Sequence, residues 1–87
     1  MKPDLLRRLE DATLVLHVLS REPLSRTLLE QRCLGKLSHA CFDAAFFWLK
    51  FDGDIEKCTA ESRAPFRVTV KGEAFLAWRV IDGAQNQ

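Results

Sequence analysis

Residues 25–53 read SRTLLEQRCLGKLSHACFDAAFFWLKFDG, and they carry the strongest secondary-structure signals of the chain. Its first residue is a serine, whose hydroxyl can cap a short helix over residues 26–32 by accepting a hydrogen bond from a backbone N–H. A glycine follows close behind as a stop signal. Ser38 can cap a second helix that runs to about Lys50, and the turn pair Asp52-Gly53 closes it. The stretch therefore predicts two helices joined by a tight turn, with the spacing of a helix-turn-helix.

The chain before this stretch carries the pattern of one long helix. Asp4, which follows Pro3, can cap its start, and Pro23 can end it. Between these points apolar residues recur at steps of three and four, as one face of a helix requires. These residues are Leu5, Leu9, Ala12, Leu16 and Leu19.

After residue 53 the apolar period changes to two. Residues 54–58 and 66–70 alternate polar and apolar side chains, which predicts two strands. The polar loop between them, residues 59–65, predicts that the two strands form a hairpin. Apolar side chains return to helical spacing over residues 71–81, which predicts a last helix.

Length and composition fit one small folded domain, with 87 residues of which 47% are hydrophobic and 29% charged. We expect an α+β domain over residues 1–82, with three helices, a two-stranded hairpin and a C-terminal helix, followed by a polar tail over residues 83–87. The net charge of +1 gives the molecule no strong electrostatic bias. Any basic patch must therefore be local.

The compartment is predicted from the cysteines and the N-terminus. Cys33, Cys41 and Cys58 are odd in number and contain no CxxC pair, which favours free thiols in a reducing compartment. The N-terminus carries charges where a signal peptide needs an apolar segment, and the longest uncharged apolar run, residues 12–20, is far shorter than a membrane span. We expect a cytoplasmic protein.

Three segments carry a family resemblance. Residues 19–25, followed by Leu28-Leu29, look like the end of helix one running into helix two. Residues 49–55, LKFDGDI, are similar to a recurring passage into the hairpin. Residues 66–76, FRVTVKGEAFL, resemble a return strand and the entry to a last helix. In this order they resemble the winged helix-turn-helix domains of small bacterial, archaeal or phage transcriptional regulators.

That resemblance implies a partner and a way of binding it. The partner would be double-stranded DNA, with the third helix in the major groove and the hairpin, or wing, against a phosphate or the minor groove.

The outward face of the third helix has an unusual composition for a helix that recognises DNA bases. A helical wheel places an apolar stripe inward, namely Phe42, Ala45, Phe46 and Leu49. Base reading needs side chains that hydrogen-bond to base edges, whereas the outward face is almost entirely apolar. Such a face favours a protein interface made of Ala40, Ala44, Phe47, Trp48 and Phe51. Alternatively, Phe47 and Trp48 cover the base of the wing as part of the core.

Basic residues supply candidate phosphate contacts. Arg63 leads because the tip of a wing has little structural need for a cation. The full candidate set for nucleic-acid binding is Arg63, Arg67, Lys57, Arg26, Lys36, His39 and Lys50. The alternative is that these are ordinary solvated charges interspersed with glutamates.

No catalytic site, metal site or cofactor is predicted. Cys33, His39, Cys41 and Cys58 lack the short ligand spacing of structural zinc sites. The histidines have no nucleophile nearby, and no phosphate-binding glycine loop is present. Three roles therefore remain. The first two are a dimeric winged-helix DNA-binding regulator and a protein-interaction module such as an adaptor or a phage or mobile-element inhibitor of host machinery. A purely structural role in a larger complex is a third.

Overall fold

Three helices, a short hairpin and a fourth helix follow one another in the computed structural model, which describes residues 3–85 and the side chains of residues 7–79. The order predicted from the sequence is confirmed. The elements are α1 (Pro3–Arg21), α2 (Arg26–Cys33), α3 (His39–Asp52), β1 (Ile55–Lys57), β2 (Phe66–Val68) and α4 (Val70–Gln85).

Serines and one glycine set the ends of the middle helices. The Ser25 hydroxyl accepts a hydrogen bond from the Leu28 N–H at 3.3 Å at the start of α2. The Ser38 hydroxyl does the same for the Cys41 N–H at 3.2 Å at the start of α3. Gly53 ends α3 in the left-handed conformation, at φ 84°, which a residue with a side chain rarely adopts. Because these signals are local, the ends of α2 and α3 predicted from the sequence agree closely with those in the structure.

The hairpin is shorter than predicted, and the last helix is longer. The strands pair antiparallel over three residues each, with Glu56 opposite Arg67 at the centre. Thr69 ends the second strand because it caps α4, its hydroxyl accepting from the Gly72 N–H at 3.1 Å. The helix then continues to Gln85, past the end predicted at residue 81 and into the predicted tail.

One apolar core lies beneath α3 and joins every element except the loop of the wing. Phe42 and Leu49 of α3 share this core with Leu16 of α1, and all three are completely buried. Phe46 meets Phe66 of β2 edge-on, with ring centroids 4.9 Å apart. The inward stripe predicted for α3 is therefore confirmed, and it holds the helix with its opposite face to solvent.

A third backbone segment extends the hairpin. Leu24, between α1 and α2, pairs with Phe66, donating to its carbonyl at 3.2 Å and accepting from its N–H at 2.7 Å. This pairing ties the wing to the helical part of the domain.

Candidate nucleic-acid and protein interfaces

The solvent face of α3 is apolar, as its wheel predicts. Phe47 and Phe51 are 69% and 83% exposed, and their rings stack with centroids 6.2 Å apart at an interplanar angle of 17°. Ala40 and Ala44 on the same face are also exposed. Nothing in this stripe can hydrogen-bond to a base edge.

The structure does not favour the alternative in which Phe47 covers the base of the wing. Phe47 stacks on Phe51 of its own helix and stays mostly in solvent. Trp48, at 40% exposure, meets Phe75 of α4 edge-on at 6.0 Å, and Phe75 in turn lies 6.0 Å from Trp78. The exposed aromatic surface thus continues from α3 onto α4.

A groove lies between the N-terminal parts of α1 and α3. Its cavity volume is about 570 Å³, and its floor includes Leu9 and the exposed alanines of α3. The charged side chains that line it from α1 are the cations Arg7 and Arg8 and the carboxyl group of Asp11. The sequence did not predict this groove, because its walls come from segments far apart in the chain.

Cations beside α3 are largely engaged within the protein. The Arg26 guanidinium binds the Asp43 carboxylate and lies 5.3 Å from the centroid of the Phe46 ring. His39 Nδ1 lies 2.5 Å from Glu30 Oε2. Lys50 is exposed, with its ammonium 6.0 Å from the centroid of the Phe66 ring. Of the predicted phosphate contacts on or near α3, Arg26 and His39 therefore already have carboxylate partners.

Two cations of the wing, Lys57 and Arg67, have hydrogen-bond partners within the protein. Lys57 donates to the backbone oxygens of Glu61 and Ser62, at 3.3 and 3.4 Å, and so shapes the loop. Arg67 pairs across the strands with Glu56 at 2.8 Å, and this hydrogen bond, followed by the charge of Glu56, raises the pKa of Arg67.

Arg63 and Lys36 complete the predicted set. Arg63 is exposed on the loop between the strands and forms no ion pair with any residue that the structure describes. Lys36, in the turn between α2 and α3, is likewise exposed and unpaired within the described range. These two side chains are the most available for an external anion.

A carboxyl pair at the junction of α3, the wing and α4 was not predicted. Asp54 is only 1% exposed, and its Oδ2 has no donor among residues 7–79. Burial raises the pKa of Asp54 to about 6, helped by a hydrogen bond to the Asp52 carboxyl and by its charge, while Lys71 opposes the rise. The sequence shows this segment only as a turn.

The described part of the chain holds no group of three or more His, Cys, Asp or Glu residues placed to bind a metal ion. All three cysteines are free, and burial raises the pKa of the Cys33 thiol. No helix within residues 3–85 has the length and apolar character that crossing a membrane requires.

The architecture is similar to that of a solved structure. It is an X-ray structure of a PadR-like transcription factor from Bacteroides fragilis, with a TM-score of 0.64 and 20% sequence identity over 95% of this chain and 92% of that one. No protein-family model matches the sequence, and no curated protein does. The likeness, together with the order of helices and hairpin, shows a winged helix-turn-helix fold.

Proposed function

We propose that this chain is a winged-helix DNA-binding protein that acts as a dimeric transcriptional regulator in the cytoplasm. The observation that carries the proposal is its likeness, along almost its whole length, to a protein described as a transcription factor. The exposed and unpaired guanidinium of Arg63 on the wing loop supports it, because a free cation there can neutralise a phosphate and release counterions. The proposed role is one of binding, with no catalytic step.

The DNA contacts would be made mainly to phosphates. Arg63 and Lys36 are the leading residues, because both are exposed and free of carboxylates in the described structure. The other cations of the predicted set would add to the local positive field while keeping their contacts within the protein. The apolar outer face of α3 would contribute little base reading, so we expect weak sequence preference and strong dependence on salt.

The test compares the binding of fluorescein-labelled duplex DNA by the wild-type chain and by Arg63→Ala over a series of salt concentrations. We expect Arg63→Ala to weaken binding several-fold and to reduce the slope of log K against log salt by about 1. A charge-matched control is Arg32→Ala, which also removes one cation. Arg32 lies on α2 and pairs with Glu22 at 3.0 Å.

An equal loss of affinity in both variants would mean that only net charge matters, and it would contradict a wing contact. No binding by the wild-type chain at low salt would contradict the DNA-binding proposal itself.

A protein-interaction module is the second candidate, favoured by the exposed Phe47–Phe51 stack. Aromatic side chains that stand so far into solvent are typical of interface anchors. Phe47→Asp should then abolish association while leaving the fold intact, because the residue contributes little to the core. Unfolding of that variant would instead assign Phe47 to the core. A chain that ignores DNA but loses a protein contact on this change would support the second candidate.

A further inference from the structure

The apolar stripe on the outer face of α3, made of Ala40, Ala44, Phe47 and Phe51, changes from small to large side chains along the helix. Its members lie four, three and four residues apart, which is the spacing of the seam of a coiled coil. The two small members, Ala40 and Ala44, lie toward the start of the helix, and the two large ones, Phe47 and Phe51, lie toward its end. All four are exposed, while the buried residues of α3 occupy the opposite face.

We infer that this stripe binds a second copy of the same chain, with the two α3 helices packed antiparallel about a two-fold axis. Such an axis places Ala40 opposite Phe51 of the other copy, and Ala44 opposite Phe47 of the other copy. Every layer of the contact then joins one phenyl ring to one methyl group. A parallel arrangement would instead set phenyl against phenyl and methyl against methyl, leaving clashes at one end and gaps at the other.

The groove beside the alanines accommodates the incoming rings. Its volume of about 570 Å³ is lined by α1 around Leu9 and by α3 from Ala40 to Trp48. In the antiparallel pair this end receives the phenyl rings of the other copy. The groove and the exposed rings are thus complementary parts of one self-matching surface, as a two-fold interface requires.

Charges match in the same register. Asp43 and Lys50 lie on one flank of the stripe, seven residues apart, and both are exposed. Asp43 already binds Arg26 of its own chain, and the two-fold axis brings Lys50 of the other copy toward the same carboxylate, twice in the dimer. It also places the negative C-terminal end of one α3 beside Arg7 and Arg8, which line the groove of the other.

This pairing specifies the dimer of the proposed function and rests on it. It buries the apolar face that makes α3 a poor reader of bases, and it leaves the wing cations to contact DNA.

The first test exchanges the small and large side chains at Ala44 and Phe47. Sedimentation equilibrium of the full chain should show a wild-type dimer. Ala44→Phe and Phe47→Ala should each weaken it roughly tenfold or more, since one creates a clash and the other a gap. The double variant A44F/F47A should recover most of the wild-type affinity, because each layer again joins one phenyl ring to one methyl group. Circular dichroism checks that each variant folds, which the exposure of both sites favours.

The second test mixes two charge variants. Lys50→Asp alone and Asp43→Lys alone should each dissociate more readily than wild type, because each places like charges together in its own homodimer. An equimolar mixture should form a heterodimer, in which both cross-pairs are opposite in charge. Asp43→Lys also removes the ion pair with Arg26 of the same chain, so the gain in affinity on mixing, and not the weakness of either variant alone, is the result that tests the pairing.

A wild-type monomer at every concentration would overturn the inference, and the face would then be left to a different protein. So would a dimer that A44F/F47A fails to restore, or a charge mixture with no gain in affinity. Salt-dependent DNA binding measured on the same samples separates the two proposals. If the chain is a monomer that binds DNA through Arg63, only the proposed pairing is contradicted. If it is a dimer that does not bind DNA, only the proposed DNA-binding function is contradicted.

Discussion

Lys71, in the first turn of α4, binds Asp52 at the end of α3. Its Nζ donates to the backbone oxygen of Asp52 at 2.7 Å and lies 3.3 Å from the Asp52 carboxylate. The buried carboxyl of Asp54 lies next to Asp52, so the same ammonium lowers the pKa of Asp54 against the stronger effects that raise it.

Removing that ammonium should raise the pKa of Asp54 above about 6. Lys71→Met keeps most of the aliphatic side chain and removes the charge, so that burial and the Asp52 carboxylate act unopposed. The carboxyl carbon of Asp54, followed by NMR as a function of pH, reports the change. Lys36→Met is the control, because it removes an equal charge from the turn before α3. An unchanged titration of Asp54 in Lys71→Met would contradict the assigned role of Lys71.

Asp54 should make the domain less stable as the pH rises. A carboxyl whose pKa is higher in the folded chain than in the unfolded one binds its proton more tightly when folded. Its contribution to stability is therefore complete below about pH 4 and is lost as the pH passes through about 6. At one pKa unit per 1.36 kcal/mol, the loss is roughly 2–3 kcal/mol.

Asp54→Asn should remove this dependence. The amide stays neutral at every pH and can donate to Asp52, so the variant should gain most in stability above pH 6. Urea unfolding at a series of pH values measures it, with Glu61→Gln as a control for the loss of an exposed carboxylate that forms no ion pair with any described residue. If the two variants gain equally above pH 6, the buried carboxyl is not the cause.

Gly72 should tolerate no side chain. A Cβ at this position would lie 2.2 Å from the backbone oxygen of Asp54 and 2.8 Å from a methyl group of Val68. Gly72→Ala should therefore force α4 away from the wing and cost about 1–3 kcal/mol of unfolding free energy.

The matched control for that change is Gly35→Ala, since nothing lies within 4 Å of a Cβ there and its φ is not positive. It should be neutral or slightly stabilising, because alanine restricts the unfolded chain. Denaturant unfolding compares the two. Equal effects would mean that the close approach of α4 to Asp54 is not maintained in solution.

The cap of α3 should contribute measurable stability. Ser38→Ala removes the acceptor for the Cys41 N–H and should cost about 1 kcal/mol. Ser62→Ala, in the exposed wing loop, makes the same chemical change away from any helix start and should cost much less. Thermal unfolding of both variants tests this, and a cost at Ser62 as large as that at Ser38 would count against the cap.

The helix limits and the inward face of α3 follow from the sequence because their causes are local. Serine caps, the glycine after α3 and the repeat of apolar residues all act within a few positions of one another. The strand limits of the hairpin were predicted less accurately. Thr69 fits the alternating pattern of a strand, yet its hydroxyl caps α4. A residue that suits two elements is assigned only when the packing is known.

The candidate site was harder to foresee. Arg26 and Lys57 were candidates beside the preferred Arg63, yet Arg26 binds the Asp43 carboxylate and Lys57 holds the wing loop. Such partners are set by the approach of distant segments, which composition and periodicity do not encode. The exposed face of α3 was predicted correctly because it depends on one helix alone, whereas the groove beside it needs α1 as well.

The backbone pairing of Leu24 with Phe66 has a consequence for the order of folding. Strands of three residues are too short to persist by themselves, and this pairing joins segments from opposite halves of the chain. Closing so long a loop is entropically costly until the intervening helices have collapsed. We therefore expect the wing to gain its amide protection last, after α1 and α3 have packed, and to be the first part of the domain to open.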